Sequence, residues 1–292
     1  MRKEHSRVLI TLSTLAALLT LVAAAGGLFW PAKGESFTFT TIHGLTVEIY
    51  GRGLYRNESA FKAPVLRGAD AILLFIGIPL LVVALMLYQR GSLRGRLLLT
   101  GILSCFLYNA ASLAFGAAYN ELFLVYLASF SASLYAFVLA LTSIDLDDLP
   151  SRVLPGMPHR ALAIFIFIAG LSPTVWLIEI VAGLIAGHVP SGLAHYTTDV
   201  TAVLDVGIIL PASFLAGILL LRRKSLGYPL ASTILILLTL IGLIVASQTV
   251  MQILDGIVLS AGQFAAFVVP FVSLSLIAVG LTISLLRHIS EP

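Results

Sequence analysis

Apolar residues along this chain are grouped into eight long stretches, separated by short polar and charged segments. Numbered spans one to eight, they cover about residues 8–30, 69–88, 97–117, 122–142, 161–187, 200–221, 228–254 and 262–286. Each is close to the roughly 20 mostly apolar residues that a membrane-spanning helix needs. Spans seven and eight form one apolar region that Asp255-Gly256 interrupts, so a turn is expected there. The pattern predicts a single-domain, all-α integral membrane protein built as an eight-span helix bundle.

The positions of lysine and arginine predict how this bundle is oriented. If the N-terminus is cytoplasmic, twelve of the 17 basic residues fall on the cytoplasmic side, and the other five all lie between residues 33 and 67. Cytoplasmic loops are enriched in lysine and arginine. We therefore predict a multi-pass protein of the cell (plasma or inner) membrane with both termini in the cytoplasm.

Residues 31–68 form the one long connection, which this orientation places outside the cytoplasm between spans one and two. Apolar and polar residues alternate over 37–42 and again over 45–50, with His43-Gly44 between the two runs. An alternation of period two is typical of β-strands. We predict a small extracytoplasmic β-hairpin that caps the outer mouth of the bundle; the alternative is a simple connector without regular structure.

Composition narrows the class of protein further. Of the 292 residues, 59% are hydrophobic and only 11% are charged, whereas a soluble domain is about a quarter charged. The single cysteine, Cys105, cannot form an intrachain disulfide. The net charge of +3 is expected to anchor cytoplasmic loops rather than to bind nucleic acid. The expected partner is the lipid bilayer, and the sequence leaves oligomerisation open.

Ionisable side chains within the spans lie mostly toward the predicted outer ends. Glu179 lies about two turns inside span five, and Asp205 lies more than one turn inside span six. Gln248, Gln252 and Asp255 have the spacing i, i+4, i+7 and so share one helical face. Since unpaired polar groups in hydrocarbon cost several kcal/mol, we expect these faces to turn inward and to line one pocket open to the outside.

The candidate ligand-binding residues all belong to this outer half of the bundle. They are Glu179, Asp205, Gln248, Gln252, Asp255, Asp199, His195, Arg67, Asp70, Tyr108, Asn109 and Trp176. Two other interpretations stay open. Hydroxyl groups often form hydrogen bonds between membrane helices, and carboxylates near helix ends, such as Asp70, Asp199, Asp255 and Glu121, can reach water. Glu179 could also pair with Arg67.

Sequence motifs assign neither a reaction nor a cofactor. His195 and Asp199 have the i, i+4 spacing that could place both on one metal ion, but no HExxH motif or dense histidine cluster supports a metal site. A P-loop, a GxGxxG loop and a GxSxG elbow are also missing from the sequence. Catalytic residues and cofactors therefore stay unassigned, and no motif resembles that of a known family.

Three functions are compatible with these features. The preferred hypothesis is a membrane protein whose outward-facing polar pocket recognises a small polar or amphipathic ligand, with translocation of that ligand left open. The first alternative is a membrane-embedded enzyme, with or without a metal, that acts on a lipid or lipid-linked substrate at the outer leaflet. The second is an accessory subunit of a membrane complex. A transporter needs a polar path through the inner half, and the sequence offers few polar residues there.

Overall fold

The structure of the protein, a computed structural model, describes residues 3–291. Within these residues, eight helical spans are long and apolar enough to cross a membrane. They are Glu4–Phe29, Lys62–Gln89, Leu93–Gly116, Phe123–Thr142, His159–Ala186, Val200–Leu221, Gly227–Leu254 and Ala261–Arg287. They correspond to predicted spans one to eight and keep those numbers. The prediction of a largely helical, polytopic membrane protein with eight such spans is confirmed.

Four of the spans are divided into two helices, so that twelve α-helices build the described part of the bundle. The helices are α1 (Lys3–Phe29), α2 (Lys62–Ile72), α3 (Ile78–Gln89), α4 (Leu93–Gly116), α5 (Phe123–Thr142), α6 (His159–Gly170), α7 (Thr174–Ala186), α8 (Val200–Leu204), α9 (Leu210–Leu221), α10 (Gly227–Leu254), α11 (Ala261–Phe267) and α12 (Val269–Arg287). Short 3₁₀ turns at Leu149–Arg152 and Ser191–Leu193 lie in the connections.

Span two differs most from its predicted bounds. It begins at Lys62 rather than at residue 69, so the connection after α1 is shorter than the predicted 31–68 and Arg67 belongs to a helix. Pro64 lies in the first turn of α2, where its fixed φ favours a helix. An N–H group in this turn would have no acceptor within the helix, so its absence in proline costs no hydrogen bond. The first two turns of α2 contain two cations, Lys62 and Arg67. A pattern of uncharged apolar residues therefore placed the start of span two too late in the sequence.

Spans two and six each contain a π turn, a helical turn that is wider by one residue. The π turns cover Leu73–Gly77 and Asp205–Ile209, and a proline, Pro79 or Pro211, follows each of them by two residues. A proline inside a helix lacks the N–H of its turn and clashes with the carbonyl four residues earlier. The wider turn before each proline accommodates that clash without ending the span.

The centre of the bundle is formed by α4 and α10, the two most buried spans among the described residues. Helix α10 contacts α2, α4, α6, α9 and α12, while α1 packs on α5 and α2. Helix α2 approaches α10 closely at Gly68, where an added Cβ would lie only 2.4 Å from the Cα atom of Gln248. Glycine at this position therefore allows spans two and seven to pack backbone to backbone.

Two antiparallel strands lie in the connection between α1 and α2. Strand β1 (Phe37–Thr40) pairs with β2 (Thr46–Ile49) in the register Phe37 to Ile49 and Thr40 to Thr46. The turn closes through the Thr41 amide, which donates to the Leu45 carbonyl at 2.8 Å. We call the end of the bundle that carries these strands the hairpin end, and the other end the opposite end. That the hairpin end is extracytoplasmic stays a prediction.

Cysteine labelling tests the predicted orientation. Gln89, the last residue of α3, and His188, in the connection after α7, are exposed and lie at opposite ends of the bundle, while the native Cys105 is buried and provides little background. In intact cells, a membrane-impermeant maleimide is expected to label His188→Cys and to label Gln89→Cys only after permeabilisation, because basic loops stay in the cytoplasm. Labelling of both variants in intact cells would contradict the eight-span topology.

Candidate functional site

A cluster of charged and phenolic side chains joins three parts of the hairpin end. Arg67 of α2 donates from Nη1 to the two carboxylate oxygens of Asp255, at 3.0 and 3.3 Å, just beyond the end of α10. The Tyr50 hydroxyl donates to Oδ2 of Asp255 at 2.9 Å and accepts from Arg67 at 3.1 Å. Arg52 lies 3.6 Å from the same carboxylate and stacks over the Tyr50 ring. We call these four residues the arginine–aspartate cluster.

This cluster forms one wall of a cavity of about 190 Å³. The rest of the wall is more apolar and includes Leu28 and Trp30 from the end of span one, together with Leu54 and Tyr55. Two guanidinium groups face a single carboxylate, so the cluster carries one uncompensated positive charge. Such a wall can bind an anionic group next to an apolar surface.

Asp70 is buried one helical turn after Arg67, behind the wall of the cavity. Only 1% of its surface is exposed, and its Oδ2 atom accepts a hydrogen bond of 2.7 Å from the Tyr55 hydroxyl. Burial raises the pKa of Tyr55 well above its usual value, and the nearby Asp70 and Tyr126 raise it further. The alternative in which Asp70 simply reaches water is therefore wrong.

A further cluster ties the loop after the hairpin to the neighbouring loops. Glu58 is fully buried; its Oε1 accepts from the Ala118 amide at 2.7 Å, and its Oε2 accepts a short hydrogen bond from Tyr196. The Lys62 ammonium lies 3.8 Å from the centre of the Tyr196 ring and donates to the Gly116 carbonyl at 2.6 Å. Burial raises the pKa of Tyr196, with Glu58 as the next cause.

His195 and Asp199 flank this cluster but have separate partners. The Nε2 atom of His195 lies 3.0 Å from the Asn57 carbonyl, and Asp199 caps α8 by accepting from the Ala202 amide at 3.1 Å. Among residues 3–291, no group of three or more histidine, cysteine, aspartate or glutamate side chains is placed to hold a metal ion. His195 thus makes a loop contact and Asp199 a helix-cap contact, and a ligand-binding role for either residue stays a prediction.

Asp205 forms its own cluster at the start of the π turn in span six. Its two carboxylate oxygens accept hydrogen bonds from the Tyr108 hydroxyl at 2.8 Å and from Trp176 Nε1 at 3.1 Å. Asn109, which follows Tyr108 in α4, is half-buried. These contacts join spans three, five and six within the half of the bundle nearer the hairpin.

Glu179 does not lie where the sequence predicted. Its side chain is exposed, and its Oε1 atom would lie 3.3 Å from a Cβ added at Gly192. In the described part of the chain it makes no hydrogen bond or ion pair with Asp205 or Arg67, because Arg67 is bound to Asp255. Glu179 thus lies outside the Asp205 cluster, and a ligand-binding role for either residue stays a prediction.

Gln248 and Gln252 turn toward the interior, as their helical spacing predicted. Gln248 is half-buried beside Gly68 of α2, and Gln252 is 5% exposed. Of the polar face that they share with Asp255, only Asp255 lines the cavity. Gln248 therefore belongs to the packing between spans two and seven, and neither glutamine lines the cavity.

Several residues of these clusters were not predicted from the sequence: Tyr50, Arg52, Tyr55, Glu58, Lys62 and Tyr196. Four of them fall in or just after the segment 50–55, which reads Tyr-Gly-Arg-Gly-Leu-Tyr. Both glycines of that segment, Gly51 and Gly53, adopt positive φ angles of 77° and 68°. Two glycines between tyrosines and an arginine are a signal for a tightly turned loop that presents polar side chains.

Comparisons with protein-family models, with curated proteins and with solved structures found no match to this chain. The fold defines a class, that of polytopic membrane proteins with eight apolar helical spans.

Proposed function

We propose that the protein recognises a small amphipathic ligand that carries an anionic group, and that it binds this ligand in the cavity at the hairpin end. The observation that carries the proposal is the convergence of Arg52 and Arg67 on one carboxylate, Asp255, in the cavity wall. We further propose that this end faces away from the cytoplasm.

The charge balance of the cavity favours an anion. Asp255 occupies part of the hydrogen-bonding capacity of Arg67, but a guanidinium group has five N–H donors. Arg52 lies 3.6 Å from Asp255, beyond hydrogen-bonding distance, and 43% of its side chain is exposed. Its donors are therefore open to a carboxylate or phosphate group, which arginine binds well.

The apolar part of the wall favours a ligand that also has a hydrophobic portion. Leu28 and Trp30 come from the end of span one, where a membrane helix leaves the hydrocarbon region. Tryptophan is enriched at this level of the bilayer because its ring is amphipathic. A ligand with an anionic head and an apolar tail could place the head at Arg52 and Arg67 and the tail along this wall.

Packing at the opposite end supports recognition rather than translocation. The first half of α10 is buried almost continuously from Gly227 to Leu238, and apolar side chains of α6, α9 and α12 pack around it. Helix α4 closes the other side of α10 through a second apolar core. A polar ligand bound at the hairpin end would therefore meet densely packed hydrocarbon along the axis of the bundle.

Binding measurements on the purified protein in detergent test this proposal. The probes are dioctanoyl phosphatidylglycerol, which is anionic and amphipathic, dioctanoyl phosphatidylcholine, which is zwitterionic, and inorganic phosphate, which lacks an apolar part. We expect the anionic lipid to bind best. Arg67→Gln should weaken its binding about tenfold, equivalent to roughly 1.4 kcal/mol, while Asp255→Asn should strengthen it because a competing carboxylate is lost.

The matched control for Arg67 is Arg56→Gln. Arg56 is an arginine of the same end, but it pairs at 2.5 Å with the exposed Glu121 and does not line the cavity. Equal loss of binding in Arg67→Gln and Arg56→Gln would show general attraction to a basic surface and would contradict the proposal. Equal binding of all three probes would contradict it as well.

A further inference from the structure

Asp70 is a carboxylate placed inside a membrane span without a cation of its own. It lies in the third turn of α2 and is 1% exposed, and its carboxylate accepts a hydrogen bond from a neutral donor, the Tyr55 hydroxyl. The nearest cation along the helix, Arg67, is held by Asp255 at 3.0 Å. Ionisable groups in such positions are costly and mark functional sites.

The fold makes room for this carboxylate rather than excluding it. At Gly27 of span one, an added Cβ would lie 1.8 Å from Oδ2 of Asp70 and 2.9 Å from the Tyr55 ring. Only glycine can therefore stand at residue 27 while the carboxylate keeps its place. Gly27 and Tyr55 also line the cavity, so Asp70 lies directly behind the cavity wall.

We propose that Asp70 is a proton-binding site and that Tyr55 links it to the cavity, so that a proton binds together with an anionic ligand. Removing a carboxyl group from water favours its neutral form unless an opposite charge or several donors compensate. A single phenolic donor supplies little compensation. The coupling to a ligand rests on the proposed function, whereas proton binding by Asp70 does not.

The link depends on which group donates in the hydrogen bond between Tyr55 and Asp70. When Asp70 is ionised, the Tyr55 O–H must donate to Oδ2. When Asp70 takes up a proton from water, its own O–H can donate to the Tyr55 oxygen, and the phenolic O–H is then free for another acceptor. An anionic group in the cavity is such an acceptor, and the added proton balances its charge.

The groups that face Asp70 from the surrounding elements are consistent with this inference. Tyr55 comes from the loop and Tyr126 from α5, and both are neutral phenols at ordinary pH. Span one contributes Gly27, which has no side chain. Among residues 3–291, the charge that acts on Asp70 is that of Arg67, on the same helix, which already pairs with Asp255.

Infrared spectroscopy of the purified protein tests the proton site without any ligand. The wild type at neutral pH is expected to show the carbonyl band of a protonated carboxylic acid, shifted slightly in D₂O, which Asp70→Asn lacks. Asp145→Asn, which removes an exposed carboxylate, should leave the band unchanged. If Asp70→Asn fails to fold, Tyr55→Phe serves instead, since loss of its hydrogen bond should shift the band. A band unchanged in both variants, or no band in the wild type, would overturn the proposal.

Calorimetry then tests the coupling at a pH above that at which the infrared band of the ligand-free protein disappears, so that Asp70 starts ionised. The ligand is dioctanoyl phosphatidylglycerol, whose phosphodiester does not titrate in that range. Repeating the titration in buffers with different ionisation enthalpies measures proton uptake, which is expected to be about one per bound lipid in the wild type and near zero in Asp70→Asn. Binding without proton uptake would overturn the coupling and leave the proposed function intact. Failure of the lipid to bind would contradict the proposed function, while the infrared result would still decide the proton site.

Discussion

Replacing Glu58 by alanine is expected to destabilise the protein by about 3 kcal/mol or more and to loosen the loop that follows the hairpin. The Glu58 carboxylate is fully buried and accepts from both the Ala118 amide and the Tyr196 hydroxyl. Each buried donor that loses its acceptor costs about 1–3 kcal/mol. The same change also removes an anion that acts on Lys62, whose ammonium lies over the Tyr196 ring.

Thermal unfolding in detergent and limited proteolysis measure this effect. The melting temperature of Glu58→Ala should fall, and cleavage between residues 50 and 62 should become faster. Glu48→Ala is the matched control, because Glu48 lies in β2 with an exposed side chain and should change stability by no more than about 0.5 kcal/mol. Equal stability of the two variants would show that the Glu58 contacts do not fasten the loop.

Adding a single methyl group at Gly68 is expected to disturb the contact between spans two and seven. The new Cβ of Gly68→Ala would lie 2.4 and 2.5 Å from the Cα and N atoms of Gln248. These are backbone atoms of the central helix, so the clash cannot be relieved by rotating a side chain. Overpacking of this kind costs about 1–3 kcal/mol, and displacement of α2 should also separate Arg67 from Asp255.

Gly280→Ala is the matched control for this change. Gly280 lies in α12 with no atom within 4 Å of an added Cβ, and alanine favours a helix over glycine by up to about 1 kcal/mol. Its melting temperature should stay equal to that of the wild type or rise, while that of Gly68→Ala falls. A Gly68→Ala protein as stable as Gly280→Ala would mean that the two spans can separate without loss.

The spans could be predicted from the sequence because hydrophobicity alone determines which segments can cross a membrane. Their ends were harder, since an end depends on contacts made elsewhere in the chain. From the sequence, Lys62 and Arg67 looked like loop residues, yet both lie in α2. There the Lys62 ammonium donates to the Gly116 carbonyl, and Arg67 pairs with the Asp255 carboxylate. The break in span five, between α6 and α7, falls at Pro173, a residue whose type alone does not reveal whether a helix kinks or ends.

The site could be predicted only in part, since its partners lie far apart along the chain. Arg67 and Asp255 were both candidates, but their pairing joins residues separated by 188 positions. Helical spacing correctly predicted that Gln252 faces inward, because periodicity shows which residues share one face of a helix. It could not show that Glu179 stays exposed, since that depends on how α7 packs against its neighbours, and α7 contacts the bundle mainly at the π turn of span six.

The two π turns give the spans unequal stiffness. Spans two and six are each interrupted by a π turn that a proline follows, whereas α10 continues without interruption from Gly227 to Leu254. Wide turns and prolines are the places where helices bend. If Asp255 moved and displaced Arg67, span two would therefore bend at residues 73–77. The half of span two that follows this turn, α3, would keep its packing against α4.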